Sequence, residues 1–292
     1  MAGRRRDGAA TGEHGLGQRF EERFEQRFEL VPDDRGGVTV VLDGSPQSHV
    51  HLDDPELLAF EYVQHLGLVI DTLPPGPLSV THVGGAGLTL ARYVNHMRPG
   101  SPQIVLEPDA ALTEAVRREL PLPRQHRIRV RPVDGLSGMA GLADASADVV
   151  VLDAYAGGQV PAELGTTAYL ADVGRVLRPD GVALLNLADE PGLRYVGRML
   201  ASLRGTGRFG ESALVATQEV LKGRRFGNAV VVAGRGRLNV GVIRRAVAQA
   251  AFPTGVRSGH ELVRLTAGAR PFTAADAAPS PTPPDAKGWR VR

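Results

Sequence analysis

The sequence predicts an α/β protein: a doubly wound, mostly parallel, Rossmann-like sheet with a small antiparallel ribbon ahead of it. Two observations carry this. From about residue 75 onward, short apolar runs of strand length alternate with amphipathic stretches of helical period, the rhythm of a parallel sheet wrapped by helices. Between residues 27 and 52, three shorter runs are broken by Asp, Gly and Pro, as in an antiparallel ribbon.

The ribbon reads FELVPD, VTVVLDG and SHVHL, with the turn residues DRGG and SPQ between them. The strands of the main sheet are LSVTHV (78–83), QIVLE (103–107), RIRVR (127–131), DVVVLD (148–153), VALLNL (182–187), ALVAT (213–217) and NAVVVA (228–233). LTLARYVNHM, DAALTEAVRREL and TAYLADVGRVL are helical stretches between them, and the closely spaced last two strands suit an antiparallel pair. Ahead of the ribbon, RFEERFEQRFEL (19–30) would set Phe20, Phe24 and Phe28 on one stripe of a short helix. The expected division is a disordered or short helical segment over 1–26, the ribbon and a linking helix over 27–66, the sheet domain over 67–266, and a disordered Ala/Pro tail over 267–292.

Composition excludes several classes. The 292 residues hold 34 basic and 32 acidic side chains, a net of +2, and the arginines are scattered rather than gathered in a stripe, so no nucleic-acid partner is expected. No window approaches the ~18 unbroken apolar residues of a membrane span. The N-terminus has basic residues without an apolar core behind them, unlike a secretory signal. Cysteine is absent, which removes disulfides, thiol catalysis and cysteine-ligated zinc. A cytoplasmic protein with no metal is the expectation.

In such a sheet, ligands bind beyond the carboxyl ends of the strands, where the strand order reverses. The first strand runs into Gly84-Gly85-Ala86-Gly87 and then a helix, a turn that lets backbone approach a ligand closely. The second ends in Glu107, ~20 residues past that turn, where a carboxylate can accept from both hydroxyls of a ribose. Asp109 is placed to cap the next helix. Asp134-Gly135 follows the third strand and could hold an adenine amino group or simply start a helix. The fourth ends in Asp153, a carboxylate at the rim of an apolar run, where desolvation raises its pKa and makes it a better base. Neither GxGxxG nor GxxxxGK[ST] is present, which suits a nucleoside without a pyrophosphate, such as S-adenosylmethionine or a relative, and the expected sheet is of the class I S-adenosylmethionine-dependent methyltransferase type.

Over roughly residues 38–235 the chain resembles the spermidine synthase family, the polyamine aminopropyltransferases. The resemblance rests on Val41-Leu42-Asp43-Gly44-Ser45-Pro46-Gln47, the stretch from Asp53 to Tyr62, the glycine turn, Glu107 with Asp109, Asp134-Gly135, and Asp153 followed by Val160-Pro161-Ala162-Glu163-Leu164. It implies transfer of an aminopropyl group from decarboxylated S-adenosylmethionine to a diamine such as putrescine, without a metal. Gln47 would touch the nucleoside, Glu107 the ribose and Asp134 the adenine, with Gly84, Gly85, Gly87 and Gly135 shaping that end. Asp153 would take the proton of the attacking amine, and Asp53, Tyr155 and Glu163 would lie on the substrate side. A homodimer is the expected assembly.

The pattern departs from the family in three places. Gly87 stands where the family has an aspartate inside the glycine turn, Ala156 where it has a second aspartate after the catalytic one, and no Tyr-Pro-Ser-Gly stretch precedes NAVVVA. Two other readings therefore stay open: a methyltransferase using ordinary S-adenosylmethionine, and a non-catalytic nucleoside-binding homologue.

Overall fold

The computed structural model describes residues 28–284. The expectations for 1–26 and for 285–292 lie outside these residues. Phe28, expected on a helix with Phe20 and Phe24, instead opens a strand, because its alternating neighbours pair across a ribbon.

The N-terminal sheet is β1 (Phe28–Pro32), β2 (Gly37–Leu42) and β3 (Ser45–His51), antiparallel in the order β1-β2-β3. Asp43 and Gly44 join β2 to β3 with φ of 49° and 73°, the two left-handed residues a tight hairpin turn requires. At the first turn, the Asp33 carboxylate accepts from the Arg35 and Gly37 amides at 2.8 Å. Its other oxygen meets His49 Nε2 at 2.7 Å, and this contact holds the carboxyl down at about 2.

The remaining elements run α1 (Glu61–Asp71), β4 (Val80–Val83), α2 (Thr89–Met97), β5 (Gln103–Leu106), α3 (Ala110–Glu119), β6 (Ile128–Arg131), α4 (Gly135–Ala140), β7 (Ala147–Leu152), a 3-10 turn (Ala162–Gly165), α5 (Thr167–Val176), β8 (Leu177–Asp189), α6 (Arg194–Gly205), β9 (Ser212–Thr217), α7 (Gln218–Leu221), β10 (Gly227–Gly234), α8 (Val240–Val247), β11 (Thr254–Ser258) and α9 (His260–Leu265). The large sheet has the order β11-β9-β10-β8-β7-β4-β5-β6. β6, β5, β4, β7 and β8 are parallel; β10 pairs antiparallel with β8 and β9, and β11 with β9. After β4 the chain builds outward through β5 and β6, then returns to lay β7 on the other side of β4. The carboxyl ends of β4, β5 and β7 therefore flank the point of reversal.

Each central strand feeds two cores. Val149 and Val151 of β7 point into a cluster with Leu66, Ile70 and Val94, while Val150 and Leu152 join Met139, Tyr169 and Leu185 on the opposite face. This is the period of two that a fully covered strand shows. A third cluster joins Val40 and Val50 of the ribbon to Leu88, Val105 and Leu112, so the N-terminal sheet packs against the β4–α2 corner. Thr89 Oγ1 donates to the His49 carbonyl at 2.8 Å across the same junction.

Two expected boundaries are corrected. The division at 66/67 falls inside α1, whose Leu66, Val69 and Ile70 are buried in the sheet domain's core. Residues 267–284 were expected as a disordered tail, but they pack: Phe272 is 1% exposed and Ser280 0%. One large aromatic side chain and one buried hydroxyl hold a segment whose average composition predicts nothing to bury.

Candidate active site

The glycine turn is wound tightly over β7. Gly84, Ala86 and Leu88 have φ of 88°, 39° and 62°, so three left-handed residues occur within five positions. A Cβ on Gly84 would stand 2.2 Å from the Asp153 carbonyl oxygen, which is why this residue is glycine. Glu107 closes the turn. Its Oε2 accepts from the amides of Gly85 and Ala86 at 3.0 and 3.3 Å, and its Oε1 accepts from Asp109 N at 3.0 Å. Asp109 caps α3 through Leu112 N at 2.9 Å.

Gly87 is corrected. It does not line the cavity; its amide donates to Ser48 Oγ at 2.8 Å, and a Cβ there would meet that oxygen at 2.4 Å and Val50 Cγ2 at 2.9 Å. The ribbon occupies the space an acidic side chain would need. Asp53 is corrected too: it sits exposed in the turn after β3, away from the cavity wall.

Asp134 caps α4, accepting from Ser137 N at 2.8 Å, and this hydrogen bond holds its carboxyl below the ordinary value. It lines the cavity all the same, as does Gly135, where a Cβ would meet Val83 Cγ1 at 2.4 Å.

Asp153 lies at the end of β7, half-buried, and burial raises its pKa from 3.8 to about 6, offset in part by a hydrogen bond from Asn186. That bond is 2.8 Å from Asn186 Nδ2 to Asp153 Oδ1. Asn186 is 0% exposed on β8, and its own Oδ1 accepts from Asn228 Nδ2 of β10 at 2.9 Å. Asn228 Nδ2 also approaches the Tyr155 hydroxyl at 3.3 Å, and that hydroxyl donates to the Asn186 carbonyl at 3.1 Å. Each amide orientation is thereby fixed: Asn186 presents its nitrogen to Asp153 because Asn228 presents its nitrogen to Asn186. Burial, with the Asp153 charge nearby, pushes the Tyr155 and Tyr62 hydroxyls well above the ordinary tyrosine value, so both remain neutral.

These strand ends enclose a cavity of about 570 Å³, the size of a small-molecule site. Gln47, Gly84, Gly85, Glu107, Asp134, Gly135, Asp153, Tyr155 and Glu163 all line it. Among the described residues, its carboxyl side chains are Asp43, Glu107, Asp109, Asp134, Asp153 and Glu163, and no lysine or arginine faces it. The single imidazole is His82, buried and bonded to Gln103, with its pKa lowered to about 4 by desolvation and hence uncharged at neutral pH. A protein of near-neutral net charge has thus concentrated negative charge in one cleft, an arrangement that attracts cations and repels anions. Sequence reasoning missed four contributors: Asp43, Tyr62, Asn186 and Asn228. Asparagine inside the apolar run VALLNL was a legible signal, since a buried amide needs partners.

No protein-family model matches the chain. A polyamine aminopropyltransferase of Chromobacterium violaceum is 23% identical over 196 residues, covering 64% of this chain and 74% of that protein. Among solved structures, a probable spermidine synthase from Corynebacterium glutamicum superposes with a TM-score of 0.78 at 27% identity, covering 84% of this chain and 92% of that one. A spermidine synthase in complex with the transition-state analogue AdoDATO has a TM-score of 0.55 at 18% identity, covering 82% of this chain and 81% of that one.

Proposed function

We propose that this chain, which is similar to a polyamine aminopropyltransferase and to a probable spermidine synthase, is a transferase that moves an aminopropyl group from decarboxylated S-adenosylmethionine to an amine acceptor such as putrescine, with Asp153 as general base. The observation that carries this reading is a cavity lined by carboxylates, with no lysine or arginine of the described residues facing it. Both substrates are cations, and the donor differs from ordinary S-adenosylmethionine by lacking a carboxylate that this cleft would repel.

The glycine turn supports the same choice. A cofactor carboxylate would need free amide donors at the turn and the start of α2. Gly84 N bonds the Leu106 carbonyl, Gly85 N and Ala86 N bond Glu107, Gly87 N bonds Ser48, and Leu88 N bonds the Gly85 carbonyl. Every amide from 84 to 88 already has an acceptor. Gly87 removes a carboxylate without adding a donor, because its own amide is held by Ser48, so the amides left for a cofactor carboxylate are those of the first turn of α2, which no side chain caps.

In this reading Glu107 meets the ribose hydroxyls while holding the turn, Asp134 and Gly135 bound the adenine end, and Gln47 closes the nucleoside from the ribbon. The acceptor nitrogen attacks the methylene carbon beside the sulfonium. An N–C bond forms, the C–S bond breaks, and its electron pair leaves a neutral thioether. The proton released from nitrogen passes to Asp153. Its Oδ1 is engaged by Asn186, so Oδ2 takes the proton. Holding amine and carbon in line is the larger contribution, and the positioned base adds ~10²–10⁴-fold.

The test is a product assay with decarboxylated S-adenosylmethionine and putrescine. The reading predicts equal amounts of thioether and aminopropylated amine from the wild type. A methylated amine formed from ordinary S-adenosylmethionine would replace this reading with the methyltransferase one. No product from either donor, with the nucleoside still bound, would make the protein a non-catalytic homologue.

A further inference from the structure

The C-terminal segment does more than cover apolar surface. It is pinned first at Phe272, whose amide donates to Ser202 Oγ at 2.8 Å and whose carbonyl accepts from Thr167 N at 2.9 Å. The Phe272 ring lies 5.4 Å from that of Tyr195, and the Arg198 guanidinium sits 3.8 Å from its centroid. Arg198 in turn pairs with Asp276 at 2.5 Å. The second attachment is eight residues on. Val160 N donates to Ser280 Oγ at 2.9 Å, Ser280 N donates to the Val160 carbonyl at 3.2 Å, and Gln159 Nε2 donates to the Ser280 carbonyl.

What Ser280 grips is a tight turn. Ala156 and Gln159 exchange backbone hydrogen bonds at 2.8 and 3.2 Å around Gly157 and Gly158, whose φ are 58° and 77°. Ala156, Gly157 and Gly158 line the cavity just past Asp153. The strap continues over the turn: a Cβ on Gly158 would stand 3.4 Å from Pro283 Cγ. An isolated four-residue turn with two glycines has high conformational freedom of its own, so its shape depends on what holds it.

We propose that Ser280 is a positioning residue for the acceptor end of the cavity: by clasping Val160 and Gln159, it fixes the turn at 156–159 as the wall beside Asp153. The nucleoside end, built from the glycine turn, Glu107 and Asp134, does not touch the strap. This inference rests on the aminopropyl-transfer reading only for the identity of the acceptor.

The test uses the full chain with Ser280→Ala, beside a chain ending after Ala278, which keeps the Phe272 and Asp276 anchors. Hydrogen exchange at the Val160 amide, thioether affinity, and KM and kcat for putrescine are measured for each. Loss of the clasp is expected to speed Val160 exchange about tenfold and raise the acceptor KM about tenfold, with thioether affinity changed less than about twofold. Unchanged exchange and unchanged KM in both variants would overturn the proposal, as would thioether affinity falling in step with the acceptor KM. Should the wild type turn nothing over, the transfer reading fails separately, and the exchange measurement still decides the clasp.

Discussion

At the residue scale the account depends most on Asp153. Asp153→Asn keeps the shape and the contact to Asn186 but cannot take a proton, so turnover is expected to fall ~10²–10⁴-fold with thioether affinity nearly unchanged. The same substitution carries a stability signature. The folded-state pKa of about 6 lies above the ordinary 3.8, so the folded protein holds a proton that the unfolded chain has released between those values. Stability contributed by this site is therefore lost as pH rises through that window, and the ionised carboxylate costs on the order of 1–3 kcal/mol above it. Asp153→Asn is expected to be more stable than wild type at pH 7–8 and equal to it near pH 4, which thermal melts against pH will show. Asn228→Ala loosens Asn186 and weakens its bond to Asp153, so the rising limb of the pH–activity profile is expected to move upward. A profile unmoved by this change would remove Asn228 from the positioning chain.

At the element scale the junction between ribbon and sheet accounts for one of the three departures from the spermidine synthase pattern, the glycine at 87. Gly87→Asp puts a carboxyl at the position where spermidine synthases carry one, yet its Cβ would collide with Ser48 Oγ and Val50. The expected result is a loss of ~1–3 kcal/mol of stability and no gain in affinity for the aminopropyl donor, measured by denaturation and titration. How much of these elements the sequence discloses depends on whether the signal is local. DVVVLD and NAVVVA declare themselves through apolar runs, whereas the turn expected at Ser45-Pro46-Gln47 falls instead at Asp43-Gly44, and those three residues open β3. β11, TGVRS, carries one apolar side chain and forms only because β9 offers an edge, so nothing in its own pattern announces it. The Asn186–Asn228 bond is likewise tertiary. β8 and β10 pair Val230 with Asn186 and Asn228 with Ala188, so the two asparagines sit diagonally on one face. The glycine turn and Glu107 were legible as a pair, but their direct hydrogen bonds, and the ribbon's claim on Gly87, required the folded chain. The C-terminal strap escaped notice because Phe272 and Ser280 are single residues in an Ala/Pro-rich stretch.

At the scale of the whole molecule, a chain of net charge +2 places its negative charge where the strand order reverses. No helix among the described residues is long and apolar enough to cross a membrane. Because the cleft's charge acts partly through solvent, salt should weaken a cationic ligand and spare a neutral one. Raising ionic strength from about 0.05 to about 0.5 M is expected to reduce affinity for decarboxylated S-adenosylmethionine several-fold, with little effect on the thioether product. Equal salt dependence for the two would mean that the carboxylates around the cavity do not set its selectivity.

The central claim is that this cleft selects a donor without a carboxylate. Isothermal titration at one pH and ionic strength, comparing decarboxylated S-adenosylmethionine, ordinary S-adenosylmethionine and the thioether product, tests it directly. The account predicts that the decarboxylated form binds at least about tenfold more tightly than the carboxylated one, a difference of ~1.4 kcal/mol. Tighter binding of ordinary S-adenosylmethionine would contradict it, since the carboxylate would then have found a donor that the occupied amides of the glycine turn do not provide.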